Sequence, residues 1–377
     1  MPIPFLRGPM TTASVPPSTR HAPVETVTEE IAVVPTAAVE TCPTPGVYTF
    51  PATTMTVTET TTVCGASSTH IPAAEPTTKV EESITTKEPE IAATTSSIEE
   101  VKDTPTSTPS LGSDGDHFAM TYTPYTTEGM CKSKSEIDAD LATIAESGFK
   151  AIRVYSTDCN TLEYVGGACR TNGVKMILGI FINGAGCTNS PVSVDEQIQA
   201  IAAWADWELV DAIVVGNEAI FGGFCSPAQI AGLISTCRST FSGFTGPFTT
   251  AETLNIWQRS DVSAALCDAV DMTGANIHPY FNAEVSPESA GDFVEGQLAL
   301  IDAICPGKTG INLECGWPSA GLTNGAAIPG KSEQATAISG IRSKVGSRTV
   351  FFSFHNDGWK EPGACGCEQS WGCGDLF

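Results

Sequence analysis

Apolar residues in the later part of the chain fall into short runs that alternate between two patterns. One pattern is a stretch of six to eleven residues rich in Val, Ile, Ala, Thr and Phe, as expected of strands buried on both faces. Eight such stretches occur: HFAMTYTP from His117, AIRVYS from Ala151, KMILGIFI from Lys175, AIVVGNE from Ala212, FTTAETL from Phe248, DMTGANIHPYF from Asp271, GINLECGW from Gly310 and TVFFSFHN from Thr349. Helix-like segments lie between them. SKSEIDADLATIAESG is the clearest, with Ser133 placed to cap its start and Gly148 to end it. SPAQIAGLISTCRSTF is another, with Ser226 as N-cap and Pro227 at the first helical position, where a missing N–H costs nothing.

Eight repeats over residues 117–377 average about 33 residues each, which predicts a (β/α)8 TIM barrel, a fold of about 250 residues. A doubly wound open sheet is the alternative. It is weakened because no Gly-rich phosphate loop follows the first strand.

Residues 1–116 follow neither pattern. They are crowded with Thr, Ser and Pro, and all six Trp lie beyond them. Such a stretch cannot bury enough apolar surface to offset chain entropy, so a long disordered arm is predicted, with the composition of O-glycosylated stalks. Cys42 and Cys64 bracket a segment in which Thr alternates with apolar residues, compatible with a short disulfide-closed hairpin. No Asn-x-Ser/Thr sequon occurs, so N-glycosylation is not expected.

Charge narrows the partners. The net charge is −24, with 15 acids against 5 bases in the arm and 28 against 14 in the remainder. Both parts would repel nucleic acid and anionic lipid, whereas an uncharged substrate is indifferent to this field. Fourteen scattered cysteines favour disulfides and an oxidising compartment. The tail CGCEQSWGCG (Cys365, Cys367, Cys373) is the best metal candidate, but it lacks zinc-ligand spacing. Disulfides are therefore expected there, with no metal and no other cofactor. The start, MPIPFLRGPM, has no apolar core of a signal peptide, although the cysteines argue for export. No segment is long enough to span a membrane.

The candidate chemistry sits at two strand ends. Strand four ends in Glu218 and strand seven carries Glu314 near its end. A buried carboxylate is costly, and an ion pair is its ordinary remedy. Two of them, 96 residues or three repeats apart, can face each other across a barrel mouth, where catalytic groups of this fold gather. If Glu218 points inward, alternation turns Gly216 and Val214 inward and Ile213 and Val215 toward the helices. The same rule turns Ile311 and Leu313 toward the helices if Glu314 points inward. Asn217 reaches the site only through a bulge or the strand's end. Two such carboxylates can cleave a glycosidic bond if one stays protonated while the other is ionised.

Around them, Tyr155 and Trp317 offer flat faces for sugar rings, and Glu252, ending strand five, could bind sugar hydroxyls. His278 reads first as a structural histidine and second as a residue orienting the site. Trp257 and Trp359 either extend a subsite or cover the barrel. Phe351 and Phe352 read as core.

VVGNEAIF and NLECGWPSAG resemble the two signatures of glycoside hydrolase family 17, the β-1,3-glucanase-like family. RVYSTDC (residues 153–159) and NIHPYF (residues 276–281) match in kind, and the resemblance covers residues 117–377. It implies a retaining mechanism with Glu218 as acid/base, Glu314 as nucleophile, Asn217 on the sugar 2-hydroxyl and Tyr280 near the nucleophile. Cys315 stands where the second signature often has Thr, and half of a disulfide is expected there. With the Thr-rich arm, the chain is similar to fungal cell-wall members of that family. The expectation is a secreted, wall-associated monomer acting on β-glucan or its oligosaccharides. It would hydrolyse them as a β-glucosidase or glucanase, or transfer them as a glucanosyltransferase. A catalytically weak, wall-bound carbohydrate-binding protein is the other alternative, disfavoured because both glutamates are present.

Overall fold

The computed structural model describes residues 39–42, 46–50, 53–57, 61–64, 111–184, 186–187 and 194–377. The chain divides into two units, Met1–Glu99 and Glu100–Phe377. In the first, β1 (Val39–Cys42) pairs antiparallel with β4 (Thr61–Cys64), and β2 (Gly46–Phe50) pairs with β3 (Thr53–Val57). Strands thus form between the two cysteines where a hairpin was compatible. The register sets Cys42 opposite Thr61 and Cys64 opposite Val39, at opposite ends of the ladder. The disorder and glycosylation expected for the rest of the arm lie outside the described residues.

The second unit is a closed barrel of eight parallel strands, and each lies within or overlaps one of the eight apolar runs. They are β5 (Ala119–Thr121), β6 (Ala151–Val154), β7 (Lys175–Ile180), β8 (Val210–Asn217), β9 (Phe248–Thr253), β10 (Thr273–Asn276), β11 (Gly310–Cys315) and β12 (Thr349–Phe351). They pair in sequence order, and β12 closes the ring against β5. The helices are α1 (Lys134–Glu146), α2 (Gly166–Asn172), α3 (Val194–Trp204), α4 (Pro227–Thr240), the short α5 (Leu254–Trp257) and α6 (Ser260–Leu266), α7 (Ala290–Asp302) and α8 (Lys331–Val345).

Capping residues begin α1 and α4 as expected. The Ser133 side chain accepts from the Glu136 N–H, and the Glu136 carboxylate accepts from the Ser133 N–H; Ser226 and Gln229 repeat this box at α4. The helix α1 buries Ile137, Leu141 and Ile144, and α4 buries Ile230, Ile234 and Cys237. Residues four and three apart form one stripe, and burying each aliphatic side chain contributes about 1.5–3 kcal/mol.

The barrel interior is a separate apolar cluster. Small residues (Ala119, Ala151, Ala212, Ala251) alternate with Ile177, Val214, Ile311, Leu313 and Val350, so that eight strands can close around a filled core. Val214 lies inside, and Ile213 and Val215 pack with the helices, as alternation required. Ile311 and Leu313 correct the expectation: both lie inside. The register of β11 slips between Asn312 and Cys315, and this bulge re-aims Glu314 after two inward residues.

Packing also reaches upstream of His117. Leu111 is buried in the inner cluster, Ser113 N–H donates to the Ser347 carbonyl at 3.0 Å, and Asp116 pairs with Arg342 at 2.8 Å. Removing residues 1–116 should therefore lower stability by about 1.5–3 kcal/mol through loss of Leu111 burial, whereas removing only residues 1–109 should not. Thermal unfolding of the two truncated chains measures this; equal midpoints would contradict it.

Four disulfides are present among the described residues: Cys131–Cys159, Cys187–Cys225, Cys267–Cys305 and Cys365–Cys367. The first ties the loop after β5 to the one after β6, and the second ties the loops after β7 and β8. Most cysteines of the barrel are thus paired, but Cys169, Cys237, Cys315 and Cys373 are buried free thiols. Cys315 therefore departs from its expected disulfide. It is the last residue of β11, buried against the barrel wall, and burial pushes its thiol up to about 12. In the tail, Cys365 and Cys367 spend their sulfurs on each other.

Candidate active site

The mouth of the barrel is built from the ends of β6, β8, β10 and β11. On β8 the pairing with β9 slips between Val214 and Asn217. Gly216 permits this with φ +82°, and a Cβ added there would meet Ala219, Ile230 and Ile182 at 3.3–3.4 Å, on the helix side rather than toward the barrel axis, contrary to simple alternation. The slip turns Asn217 inward. Glu218 follows with φ +50°, a left-handed conformation uncommon for glutamate. Both side chains consequently reach the mouth, which a period of two would forbid.

Arg153, on β6, organises the rest. Its guanidinium is 1% exposed. One terminal nitrogen donates to Glu314 Oε1 (3.1 Å), the Leu313 carbonyl (2.7 Å) and Asn276 Oδ1 (3.4 Å), and the other to Asn217 Oδ1 (2.7 Å). The Asn276 amide donates to Asn217 Oδ1 and to Glu218 Oε1, each at 3.0 Å. His278 Nε2 lies 3.3 Å from Glu314 Oε2. One connected network therefore joins residues of four strand ends. The guanidinium also lies over the Tyr155 ring, 4.7 Å from its centre.

The two carboxylates differ in acidity for identifiable reasons. Glu218 is raised above the ordinary range, first by burial and then by the Glu314 charge; the Asn276 bond opposes this only in part. Burial pushes Glu314 up as well, but there it is outweighed. The His278 hydrogen bond, the Arg153 and His278 charges and the nearby Tyr155 hydroxyl hold Glu314 below its ordinary value. The two neighbours are thus pushed in opposite directions, Glu218 toward its protonated form and Glu314 toward its ionised one.

The cleft has two lobes that meet at Glu314 and Phe352. One, of about 640 Å³, is lined by Tyr125, Tyr155, Asn217 and Trp359. The other, of about 910 Å³, is lined by Glu218, Phe221, Asn276, His278, Phe281 and Trp371. Glu368 borders both lobes.

The structure brings together Asn217, Glu218, Glu314 and Tyr155 as expected, and moves three other residues off the cleft surface. Tyr280 is 1% exposed, and its hydroxyl donates to the Leu322 carbonyl. Trp317 is fully buried, with its indole N–H on the Ile328 carbonyl at 2.9 Å. These two rings stack edge to face and form the wall behind the site rather than a sugar platform. Glu252 is fully buried as well. Its oxygens accept the N–H groups of Ile220 (2.7 Å) and Phe221 (3.2 Å), so it has no face for sugar hydroxyls. Burial pushes its carboxyl up to about 7 against those backbone bonds.

Trp257 is buried on the Gly274 carbonyl, and Phe351 is core, whereas Phe352 lines both lobes. Arg153, Asn276, Phe352 and Trp371 were not singled out as site residues. RVYSTDC and NIHPYF pointed to the segments carrying the first two. A charged residue inside the apolar run AIRV was the one local signal for Arg153.

A parallel eight-stranded barrel with a pair of carboxylates at the ends of its fourth and seventh strands has the architecture expected of a glycoside hydrolase. The chain belongs to the BtgE/BtgC glycoside hydrolase domain family, whose model matches residues 119–372. A second family model, the probable beta-glucosidase btgE N-terminal domain, matches residues 36–148. The probable beta-glucosidase btgE of Aspergillus fumigatus is 51% identical over 262 residues, covering 69% of this chain and 45% of that protein. The chain thus spans less than half the length of that relative. In fold it is similar to the glycoside hydrolase family 17 β-1,3-glucanosyltransferase of Rhizomucor miehei (20% identity, TM-score 0.58, 69% of this chain and 94% of that one). It is also similar in fold to an endo-laminarinase from Formosa (17% identity, TM-score 0.57, 68% and 82%). The resemblance to a glycoside hydrolase family is met by the family model, and the resemblance to family 17 is met in fold. Among the described residues no helix is long and apolar enough to cross a membrane.

Proposed function

We propose that the barrel is a retaining glycoside hydrolase acting on β-glucan, with Glu218 as general acid/base and Glu314 as nucleophile. The observation that carries this is the unequal treatment of the two carboxylates. Arg153 and His278 both touch Glu314, whereas the Asn276 amide is the side chain hydrogen-bonded to Glu218. Glu218 protonates the departing glycosidic oxygen while the Glu314 carboxylate attacks the anomeric carbon. Glu218, now a base, then takes the proton of the incoming water or sugar hydroxyl. Asn217 has its Oδ1 committed to Arg153 and Asn276, which leaves Nδ2 to donate to the sugar 2-hydroxyl.

The names of the relatives support a glucan substrate. A glucanosyltransferase is the second reading: the lobe beside Glu218, of about 910 Å³, has room for a leaving glucan in hydrolysis and for an acceptor sugar in transfer. The disulfides support an extracellular location, and the Thr/Ser-rich arm is assigned to wall attachment or spacing.

Proton NMR of the first product from a laminari-oligosaccharide series should show the β-anomer. An α-anomer appearing first would mean inversion, with carboxylates about 6.5–9.5 Å apart instead of about 5–5.5 Å. The same series separates hydrolysis from transfer, because transfer yields products longer than the substrate.

A further inference from the structure

Glu218 adopts a backbone conformation that glutamate avoids. A φ of +50° in a non-glycine residue is strained and persists only where the surroundings enforce it. Part of the enforcement is the Glu218 N–H, which donates to the Ala251 carbonyl of β9 at 2.7 Å. The chain then turns away from the sheet, and the N–H groups of Ile220 and Phe221 lose the partners a strand would supply. Glu252, the residue after Ala251, takes both of them, one on each carboxylate oxygen. Two consecutive residues of β9 therefore hold the acid/base residue and the turn that follows it.

The placement is costly and specific. Glu252 is 0% exposed, borders neither lobe of the cleft, and has no cationic partner among the described residues' ion pairs. An unpaired buried carboxylate is expensive unless its oxygens are fully hydrogen-bonded. Here the bonds go to the backbone beside Glu218. A role in packing alone would be served at lower cost by an apolar residue of similar size.

We propose that Glu252 is a positioning residue: by accepting the Ile220 and Phe221 N–H groups it holds the turn after β8 in the conformation that aims Glu218 at the departing oxygen. This rests on Glu218 being the acid. Its effect is then confined to steps that need a proton. A glycoside whose leaving phenolate is already stable, such as dinitrophenyl, departs with little protonation, whereas a sugar alkoxide does not.

The test compares kcat/KM over a series of aryl β-glycosides of rising leaving-group pKa and a laminari-oligosaccharide, for the wild type, Glu252→Gln and Glu218→Ala. The Gln variant keeps the shape but sets an amide NH2 against a backbone N–H. It should leave the dinitrophenyl substrate near wild type and slow the oligosaccharide about 10- to 100-fold, a part of what general-acid catalysis supplies. Its dependence on leaving-group pKa should steepen toward that of Glu218→Ala. A uniform loss across the series, accompanied by a lower thermal midpoint, would make Glu252 a structural residue and overturn the proposal. So would a slope equal to wild type while Glu218→Ala is steep. If Glu218→Ala itself shows the wild-type slope, the acid assignment fails and the role of Glu252 fails with it.

Discussion

Replacing Glu314 by alanine is expected to reduce turnover of β-glucan by roughly 10⁴-fold or more, the scale on which a catalytic nucleophile is missed, while the barrel remains folded. The reason is that no neighbouring group can take over. His278 and Tyr155 flank the carboxylate, and Glu218, whose acidity burial weakens, is placed to assist the departing oxygen rather than to attack the anomeric carbon. Arg153 would lose its carboxylate partner in this variant, but it keeps the Leu313 carbonyl and Asn217 Oδ1. Circular dichroism should therefore report an intact fold.

Azide adds a stereochemical check. In Glu314→Ala it can enter the vacated space, attack the anomeric carbon of an activated aryl β-glycoside and expel the phenolate in one displacement, which gives the α-glycosyl azide. In Glu218→Ala azide would instead open the glycosyl-enzyme intermediate and give the β-glycosyl azide. Near-normal activity of Glu314→Ala, or the same azide anomer from both variants, would refute the two roles.

The barrel was legible because strands of a closed parallel sheet are buried on both faces. Each reads as an apolar run that turn residues interrupt, and the run, not its exact alternation, carries the signal. Ser133 and Ser226 were legible because capping is a local reaction between neighbours four residues apart at most. What failed was inference by parity from a strand end. Alternation counted back from Glu314 placed Ile311 and Leu313 outside. The bulge between Asn312 and Cys315 shifts the count by one, and bulges leave no sure mark in sequence.

The site was half legible for a related reason. The glutamates announce themselves because carboxylates are out of place in apolar runs. Glu252 stands out in the same way, yet its oxygens meet backbone N–H groups rather than a ligand: a strand-end carboxylate can serve either, and its position along the strand does not distinguish them. Tyr280 and Trp317 carry polar tips that are satisfied by the Leu322 and Ile328 carbonyls. A sequence cannot show whether such a tip meets protein or sugar. The aperiodic segment after β12 supplies Trp359, Glu368 and Trp371 to the cleft, with no hydrophobic period to place them.

Arg153→Met should give the second large effect, on stability and on pH dependence together. Losing one partner of a buried ion pair typically costs about 3–5 kcal/mol, because the other charge is left uncompensated. In the wild type, Glu314 lies below its ordinary value of 4.5. Its ionisation therefore contributes stability that is present above that value and is lost as pH falls through the depressed one. Without the guanidinium, burial is less opposed and the Glu314 carboxyl moves up. If it passes its unfolded value the sign reverses, and its contribution is then present in acid and lost as pH rises through the new value. The stability deficit of the variant should accordingly be smaller at pH 4 than at pH 7. Activity should move the other way, because the nucleophile must be ionised: the acidic limb of the kcat/KM profile shifts to higher pH. Arg153→Lys keeps the charge but not the fork that reaches Glu314 and Asn217 at once, so it should fall between. Thermal midpoints and kcat/KM measured from pH 4 to pH 8 decide the matter. Profiles of Arg153→Met that superimpose on wild type in both would mean that Glu314 does not depend on this cation, and that its ionisation must be explained by His278 and Tyr155 alone.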